Sequence, residues 1–321
     1  MKVMTRNLFL GADLTPAYMA LAAPDGPAAL PDAVAAIFNP GAPPGVVQRT
    51  DFATRAVALA DEVGAARPDL IGLQEAAVWR ADDAVESDHL ELLEAELARR
   101  GLRYRRVGAQ VNGDVALPSA AGVTVGLTDR DAILAREDSD GGELTLSNLQ
   151  TGDFITTLPL HTAHGTFALA RGWMSVDVEL RGVRLRFVNT HLEVAGGDGG
   201  AVQLAQAAEL IDGPADTTLP VVMVGDFNSR PGRPTYDALR AAGFDDAWTR
   251  ANPDGPAGLT CCHAHPLDDP TDALRGRIDL ILTRGEIAAA EAFVVGDEPG
   301  AFRDGLWPSD HAGVVATLRP V

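Results

Sequence analysis

The spacing of apolar residues along the chain predicts strands and helices that follow one another. Residues 219–224 form a short run that is apolar at nearly every position, as is typical of a strand buried on both faces. Residues 3–8 are also predicted to form a strand, and residues 69–73 a short buried one. Residues 51–66 and 89–100 instead bring apolar side chains to one helical face, which predicts two amphipathic helices. The pattern is therefore that of a mixed α/β protein.

Strands are also expected in the middle and the last third of the chain. Arg181 and Gly182 separate two apolar runs and predict a tight hairpin turn between them. Prolines between residues 22 and 45 predict a surface excursion with only a short helix near residues 32–38. No internal repeat or change in composition divides the chain, so residues 1–321 are expected to form one domain. The other strands are predicted at residues 102–107, 123–127, 131–135, 167–180, 183–189, 277–283 and 311–318.

Polar side chains that can bind a metal or a phosphate follow the ends of several predicted strands. Asp226 and Asn228 come directly after one strand, and because they are two positions apart an extended backbone points both the same way. A Gly-Asp pair also begins ordinary turns, but chance is a poor explanation for five such strand ends. Sheets place active sites at these ends, so the sequence predicts one site there. Asn7, Glu75 and His191 also follow strand ends, whereas Asp310 and His311 stand at the entrance of the last predicted strand.

The chemistry of these residues suits a phosphate group bound beside a metal ion. Glu75 and Asp310 are hard oxygen donors suited to Mg²⁺ or Mn²⁺, with Ca²⁺ as a further possibility, and Asn7 can add a neutral oxygen. His191, His311 and Asn228 can donate hydrogen bonds to phosphoryl oxygens.

The composition is that of an ordinary globular protein with an acidic balance. The 321 residues are 46% hydrophobic and 22% charged, with a formal net charge of -19. This charge repels polyanions and disfavours long duplex DNA, although a locally basic or metal-loaded cleft can still accept one phosphate. Lys2 is the only lysine, so a nucleotide-binding P-loop and an interior Schiff-base lysine are both excluded. A serine hydrolase is disfavoured because no Gly-x-Ser-x-Gly motif is present.

Two features bear on location and on zinc. No apolar run is long enough to cross a bilayer, and the first predicted strand has no secretory leader ahead of it. We expect a cytoplasmic protein, or a secreted one whose leader has been removed. Cys261 and Cys262 lie beside His263 and His265, but four ligands within five residues do not match the separated pairs of structural zinc sites. We therefore favour a local loop feature over zinc.

Six short motifs, spread from Asn7 to His311, resemble those of a known family. They are Asn7, Gln74-Glu75, Asn189-Thr190-His191-Leu192, Gly225-Asp226-Phe227-Asn228, Arg277-Ile278-Asp279 and Ser309-Asp310-His311. In this order they resemble the endonuclease/exonuclease/phosphatase superfamily, which includes pancreatic-type deoxyribonucleases, abasic-site endonucleases, bacterial sphingomyelinases and inositol polyphosphate 5-phosphatases. The resemblance implies a four-layer α/β/β/α sandwich, in which two mixed β-sheets pack face to face with helices outside.

The resemblance also implies a metal-holding half of the site. Glu75, helped by Asn7 and Asp310, would hold a divalent metal that polarises the scissile phosphate. The chain departs from the abasic-site enzymes because Phe9 stands where they have an acidic ligand, so more of the metal binding would rest on Glu75.

The other half of the site would act on water and on the phosphate. By the same resemblance, Asp226 would align or deprotonate the attacking water, and Asn228 would orient that water or a phosphate oxygen. His311 would bind or protonate at the phosphate, with its ring fixed by Asp279. His191 would stabilise the charge that develops on the phosphoryl oxygens.

The substrate is less well defined than the chemistry. A small-molecule or lipid phosphate ester fits the acidic charge better than nucleic acid does, so a phosphodiesterase or phosphomonoesterase is placed ahead of a DNA or RNA nuclease. A protein that binds phosphate ligands without catalysis is a third alternative. Arg171 could bind a phosphate or face solvent, and both interpretations stay open. We expect a monomer.

Overall fold

Two mixed β-sheets pack against each other in the centre of the molecule. The computed structural model describes residues 1–23, 26–138, 144–162, 165–196 and 199–321. The strands are β1 (Lys2–Asn7), β2 (Leu70–Gln74), β3 (Val78–Ala81), β4 (Ala84–Asp88), β5 (Tyr104–Pro118), β6 (Thr124–Arg136), β7 (Thr145–Asp153), β8 (Leu158–Thr162), β9 (Gly165–Leu169), β10 (Gly172–Leu180), β11 (Val183–His191), β12 (Val221–Asp226), β13 (Asp245–Asp246), β14 (Asp279–Arg284), β15 (Ile287–Val295) and β16 (Gly313–Pro320). The helices are α1 (Thr15–Ala22), α2 (Gly26–Ile37), α3 (Val46–Arg49), α4 (Phe52–Ala66), α5 (His89–Arg99), α6 (Gly199–Asp212), α7 (Pro234–Ala241) and α8 (Ala247–Ala251), with a 3-10 turn at Pro299–Ala301.

Within the described ranges, the first sheet has eight strands and the second has six. In the first, the order is β15-β16-β1-β2-β6-β3-β4, and β5 pairs with the long strand β6. In the second, the order is β13-β14-β12-β11-β10-β7, and a separate hairpin is formed by β8 and β9. Each large sheet mixes parallel and antiparallel neighbours, because β1 runs parallel to β2 and β11 runs parallel to β12.

Alternation of side chains along the strands creates three apolar layers. Val222 and Val224 of β12 point into the core between the sheets, whereas Val221 and Met223 of the same strand pack under α6 and α7. The outer face of the first sheet packs in the same way on α4 and α5. The molecule is therefore helix, sheet, sheet and helix in layers, and the four-layer sandwich expected from the sequence is confirmed.

Asn189 joins the two sheets through its side-chain amide. Its Nδ2 donates to the carbonyls of Leu73 and Ala132 in the first sheet, at 3.0 Å each, and its Oδ1 accepts from Gln74 Nε2 at 2.7 Å. The sheets come this close because position 72 is glycine, where an added Cβ would lie 2.5 Å from Asn189 Oδ1. A fully satisfied buried amide thus sets the spacing of the sheets near the ends of their central strands.

Replacing Asn189 by alanine is expected to lower the free energy of unfolding by about 2 to 4 kcal/mol, because buried carbonyls lose their donor. Urea unfolding followed by circular dichroism measures the change. Gln150→Ala, at an exposed position on β7, is the matched control and should change the free energy by less than about 0.5 kcal/mol. A loss of similar size in both variants would contradict a special role for the bridge.

Strand directions bring the polar strand ends to one place. The carboxyl ends of β1 and β2 lie beside the start of β16, and the carboxyl ends of β11 and β12 lie beside the start of β14. A hydrogen bond of 3.1 Å from Asn7 Nδ2 to Asp226 Oδ2 joins the two groups of strand ends. We call this edge of the sandwich the polar edge.

Two buried arginines tie the polar edge to helix α4. Arg6 of β1 forms a bidentate pair with Glu62 of α4, both contacts at 2.9 Å, and also donates to the carbonyl of His311. Arg55 of α4 is buried and donates to three carbonyls of the loops at the polar edge. These carbonyls belong to Leu8 (2.7 Å), Phe9 (3.3 Å) and Pro308 (2.9 Å).

Several local predictions are confirmed or corrected by the structure. The hairpin turn is confirmed, since Arg181 and Gly182 both have positive φ, 54° and 78°. The short helix near residues 32–38 is wrong, because α2 is twelve residues long with Pro31 inside it. Pro31 is the sixth of its twelve residues, and the helix continues past it although proline cannot donate the backbone hydrogen bond of that position. No helix among the described residues is long and apolar enough to cross a membrane.

The strand predicted for residues 167–180 is two strands. It breaks at Arg171, whose side chain turns towards His191 rather than continuing the alternation. β10 then joins the six-stranded sheet, whereas β9 pairs with β8.

Candidate active site

A histidine held between two aspartates lies at the centre of the polar edge. His311 Nδ1 is 2.7 Å from Asp279 Oδ2, and His311 Nε2 is 3.8 Å from Asp226 Oδ2. Asp226 and Asp279 are facing residues of β12 and β14, so their carboxylates approach the ring from neighbouring strands. Burial alone would lower the pKa of His311, but the charges of Asp279, Asp310 and Asp226 raise it well above its ordinary value. His311 is thus a buried imidazolium with Nε2 turned towards Asp226.

Asp226 is a buried carboxylate whose charge is poorly compensated. Burial, followed by the facing Asp279, raises the pKa of Asp226 to about 7. Its Oδ1 accepts from the backbone N–H of Asn228 at 2.8 Å, in a tight turn where Asn228 has a φ of 49°. Gly225 precedes this turn, and any Cβ there would collide with the Thr190 carbonyl at 2.0 Å. The Gly-Asp-Phe-Asn turn therefore presents a carboxylate that can take a proton near neutral pH.

His191 lies next to Asp226 and is held from its other side by Arg171. Arg171 Nη1 is 3.1 Å from His191 Nδ1, and a guanidinium can only donate, so Nδ1 is the acceptor. The remaining ring proton is at Nε2, which is 3.5 Å from Asp226 Oδ2 and 3.2 Å from Asn228 Nδ2. Burial and the charge of Arg171 lower the pKa of His191 well below its ordinary value, so the ring is neutral. It can donate one hydrogen bond from Nε2 towards the polar edge.

The side chain of Arg171 is mostly buried and is surrounded by carboxylates. It lies 3.7 Å from Asp129 Oδ2 and 3.9 Å from Glu193 Oε2, both of which are largely buried. Burial alone would lower the pKa of Arg171, but the surrounding carboxylates raise it. The sequence analysis left its role open between phosphate binding and solvent. The structure places the guanidinium behind His191, where it fixes the tautomer of that ring.

Glu75 and Asn7 form a group beside the aspartates. Asn7 Nδ2 donates to Glu75 Oε1 at 3.2 Å, and Glu75 Oε2 accepts from the N–H of Leu10 at 2.8 Å. Asn7 Oδ1, the oxygen suggested for a metal, accepts instead from the N–H of Phe9 at 2.8 Å. Burial and the charges of Asp310 and Asp129 raise the pKa of Glu75 to about 7. A buried carboxylate whose pKa is raised by burial and by neighbouring carboxylates is a place where a cation is stabilised.

Asp310 is paired with a histidine that the sequence analysis did not single out as functional. His265 Nε2 is 3.2 Å from Asp310 Oδ2, and the His265 ring stacks on Phe9 with centroids 4.5 Å apart. Burial would raise the pKa of Asp310, but the charges of His311 and His265 lower it. Phe9, which stands where the abasic-site enzymes have an acidic residue, thus packs against His265, the residue that pairs with Asp310. His265 stands on a loop 45 residues before Asp310, so no pattern in the sequence indicated that the two side chains are in contact.

Among the residues that the structure describes, two groups of side chains have ligand atoms close enough to hold one metal ion. The atoms of Asp226, Asp279 and His311 all lie within 4.8 Å of one another, and so do those of Cys261, Cys262 and His311. In the first group, His311 Nδ1 is already engaged by Asp279. Glu75 and Asp310 are hard carboxylates next to it, which suits Mg²⁺ or Mn²⁺.

The cysteine loop lies beside His311, and its two histidines contact other residues. Cys261 and Cys262 are adjacent in the chain, and Cys262 Sγ is 3.8 Å from His311 Nε2. His263 stacks on Trp307 at 4.2 Å between centroids, and His265 faces Asp310 as described. The two histidines are thus directed to separate partners.

The fold has been seen in proteins that share little sequence with this chain. TDP2 from D. rerio, solved with a single-strand DNA product, is 16% identical, with a TM-score of 0.61, and the match covers 99% of this chain and 98% of that one. The human Nocturnin catalytic domain with bound sulfate is 16% identical, with a TM-score of 0.60, over 100% and 93% of the two chains. A mannosyl-6-phosphatase from Bacteroides thetaiotaomicron is 19% identical, with a TM-score of 0.58, over 99% of both chains.

Sequence comparison gives the family itself. No curated protein matches the chain. The profile of the Endonuclease/Exonuclease/phosphatase family matches residues 47–311, which is most of the chain and includes most of the residues of the polar edge. The chain therefore belongs to the endonuclease/exonuclease/phosphatase family.

Proposed function

We propose that this protein is a divalent-metal-dependent hydrolase that cleaves a small-molecule or lipid phosphate ester by attack of an activated water. The observation that carries the proposal is the convergence of Asp226, the Asp279–His311 pair and His191 next to Glu75 on a single edge. This arrangement provides a proton acceptor, a fixed imidazolium and a neutral donor within a few ångströms. Those are the groups that hydrolysis of a phosphate ester requires.

Each side chain would act at a defined atom. Asp226, with its raised pKa, would orient the attacking water and take its proton. His191 Nε2 would donate a hydrogen bond to a phosphoryl oxygen as negative charge develops there, and Asn228 would orient the attacking water or a phosphate oxygen. His311 Nε2 would donate to the phosphate, and Asp279 would keep its ring protonated and oriented.

Glu75 and Asp310 would hold the divalent ion, and Asn7 would help by holding the Glu75 carboxylate through its hydrogen bond. Burial, together with the nearby charges of Asp310 and Asp129, raises the pKa of Glu75, and a bound cation would compensate this buried negative charge. When bound, the ion would supply Lewis-acid polarisation of the scissile phosphate. The pairing of Asp310 with His265 leaves Glu75 as the carboxylate more available to it.

Metal affinity should depend on pH through Glu75. Below pH 7 this carboxyl is protonated in the metal-free protein and cannot ligate, whereas above pH 7 it is ionised. Calorimetric titration with Mg²⁺ should therefore give a dissociation constant at least about tenfold larger at pH 5.5 than at pH 7.5. Glu75→Gln should bind weakly at both values. Equal affinities of the unaltered protein at the two pH values would contradict this assignment.

The function itself is tested by parallel assays on bis-p-nitrophenyl phosphate, p-nitrophenyl phosphate, sphingomyelin and plasmid DNA, with Mg²⁺, Mn²⁺ or Ca²⁺ and with EDTA. Turnover of the small or lipid esters that EDTA abolishes is the expected result. Preference for plasmid DNA would favour the nuclease alternative. Lack of turnover on all four substrates would leave a protein that binds phosphate without cleaving it.

A further inference from the structure

A cleft of about 900 Å³ opens beside the polar edge, and Asn228 lies on its inner rim. It is formed by the loop after β12, the first turns of α6 and α7, and the loop that carries the cysteines. Cys262 borders the cleft and also contacts His311, so the cleft is continuous with the site described above. A molecule whose phosphate lies at Asn228 would extend into it.

The charge of this cleft is opposite to that of the protein. Its charged residues are Arg230, Arg233 and Arg275, and the described residues that line it include no aspartate or glutamate. The chain as a whole has a net charge of -19. Three arginines facing one space in an acidic protein create a local potential that attracts anions. We call this space the arginine cleft.

Two of these arginines are available to a ligand. Arg275 is engaged, since it pairs with Asp272 at 2.5 Å and donates to the Cys262 carbonyl at 2.9 Å. Within the described part of the chain, the guanidinium groups of Arg230 and Arg233 have no hydrogen bond or ion pair, and both residues are exposed. An unpaired guanidinium can bind a phosphate bidentately without first losing a partner.

A buried hydroxyl points to the same ligand. Ser229 lines the arginine cleft, is only 2% exposed, and its Oγ has no hydrogen-bond partner in the described residues. Buried hydroxyls are almost always satisfied, so this one is suited to a ligand oxygen or to a water that a ligand displaces. The first turns of α6 and α7, which contribute Gly200 and Thr235, add N–H groups and the positive ends of two helix dipoles.

We propose that the arginine cleft binds a second phosphate group of the substrate, next to the phosphate that is cleaved. This inference rests on the proposed function and narrows it to phosphate esters that carry at least one further phosphate. Arg230 and Arg233 contact the second phosphate, and Ser229 donates to one of its oxygens. A bisphosphorylated small molecule and a short oligonucleotide share this chemistry. Long duplex DNA remains disfavoured, because the positive charge is confined to one cleft.

Calorimetry with Mg²⁺ present tests the proposal without requiring turnover. Thymidine 3′,5′-bisphosphate is compared with the 3′- and 5′-monophosphates, and propane-1,3-diol bisphosphate is compared with its monophosphate. At least one bisphosphate should bind about tenfold or more tightly than its best monophosphate, as two added charge-assisted contacts predict. The double variant Arg230→Ala/Arg233→Ala should reduce this ratio to about two or less. Arg184→Ala removes an exposed arginine at the far end of β11 and should leave the ratio unchanged.

The gain in affinity from monophosphate to bisphosphate, compared between the two pairs of ligands, identifies the kind of molecule that carries the second phosphate. A gain confined to the thymidine pair indicates a nucleotide ligand, and a gain in both pairs or in the propanediol pair alone indicates recognition of phosphate itself. Either result supports the cleft. Ratios near one in both pairs, or a gain that survives the double arginine variant, would overturn it. Loss of the proposed hydrolase function appears separately, as lack of turnover by the unaltered protein.

Discussion

His311→Ala is expected to lower kcat/KM on a phosphate ester by about 10³-fold, because it removes both a hydrogen-bond donor to the phosphate and a proton donor. His311 Nε2 points towards Asp226, and no other described imidazole lies in hydrogen-bond contact with Asp279. Steady-state kinetics on the best substrate of the assay panel measures the loss. His161→Ala, on the exposed hairpin of β8 and β9, is the control and should retain normal kinetics.

The pH profile gives a second readout for His311. Its pKa is raised well above the ordinary value, so the imidazolium persists through neutral pH and loses its proton only on the alkaline side. Asp226, with a pKa of about 7, must lose its proton on the acid side. The unaltered enzyme should show both limbs, and His311→Gln should lose the alkaline one. A folded His311 variant with near-normal turnover would refute the assignment.

Asp226→Asn is expected to lower kcat/KM by about 10³- to 10⁴-fold, since the amide keeps the shape of the side chain but cannot accept the proton of water. The same change should leave the free energy of unfolding at pH 7.5 unchanged or higher. The reason is that burial and Asp279 raise the pKa of Asp226, so the folded state disfavours its charged form at every pH above the unfolded value. Kinetics and urea unfolding of one preparation measure both quantities.

Asp237→Asn is the matched control for this variant. Asp237 is an exposed residue of α7, outside the polar edge, and its replacement should change neither quantity appreciably. If Asp226→Asn unfolds more readily than the parent protein, the activity loss would have a structural cause, and the water-aligning role would have to be abandoned. Retained activity in a stable Asp226 variant would refute it directly.

The layers of the fold were predictable because their cause is local. Buried strands such as β12 are apolar at nearly every position, and α4 and α5 each carry one apolar face. The missed strands lack this signal. β7 is almost entirely polar and exposed, and β15 is rich in alanine, so each is a strand because of the neighbour that it pairs with.

The site was predictable to the extent that its residues stand at strand ends. Asn7, Asp226 and His191 come together because strand direction brings such ends to one edge. Contacts that cross between loops gave no sequence signal, as the pairing of His265 with Asp310 shows. The arginine cleft was likewise not predictable, since Arg230 and Arg275 are separated along the chain. An overall charge of -19 also gives no indication of a locally positive surface.

Arg6 and Arg55 connect the outer helix α4 to the loops of the polar edge. The carbonyl of His311 is held by a guanidinium whose partner, Glu62, belongs to α4, and the carbonyls of Leu8 and Pro308 are held from α4 directly. Warming that loosens α4 would therefore release the backbone at Leu8 and the backbone at Pro308 and His311 at the same time. Heat inactivation and unfolding of α4 should therefore occur together. Stabilising substitutions on the exposed face of α4 should lengthen the half-life of activity on heating without changing any residue of the polar edge.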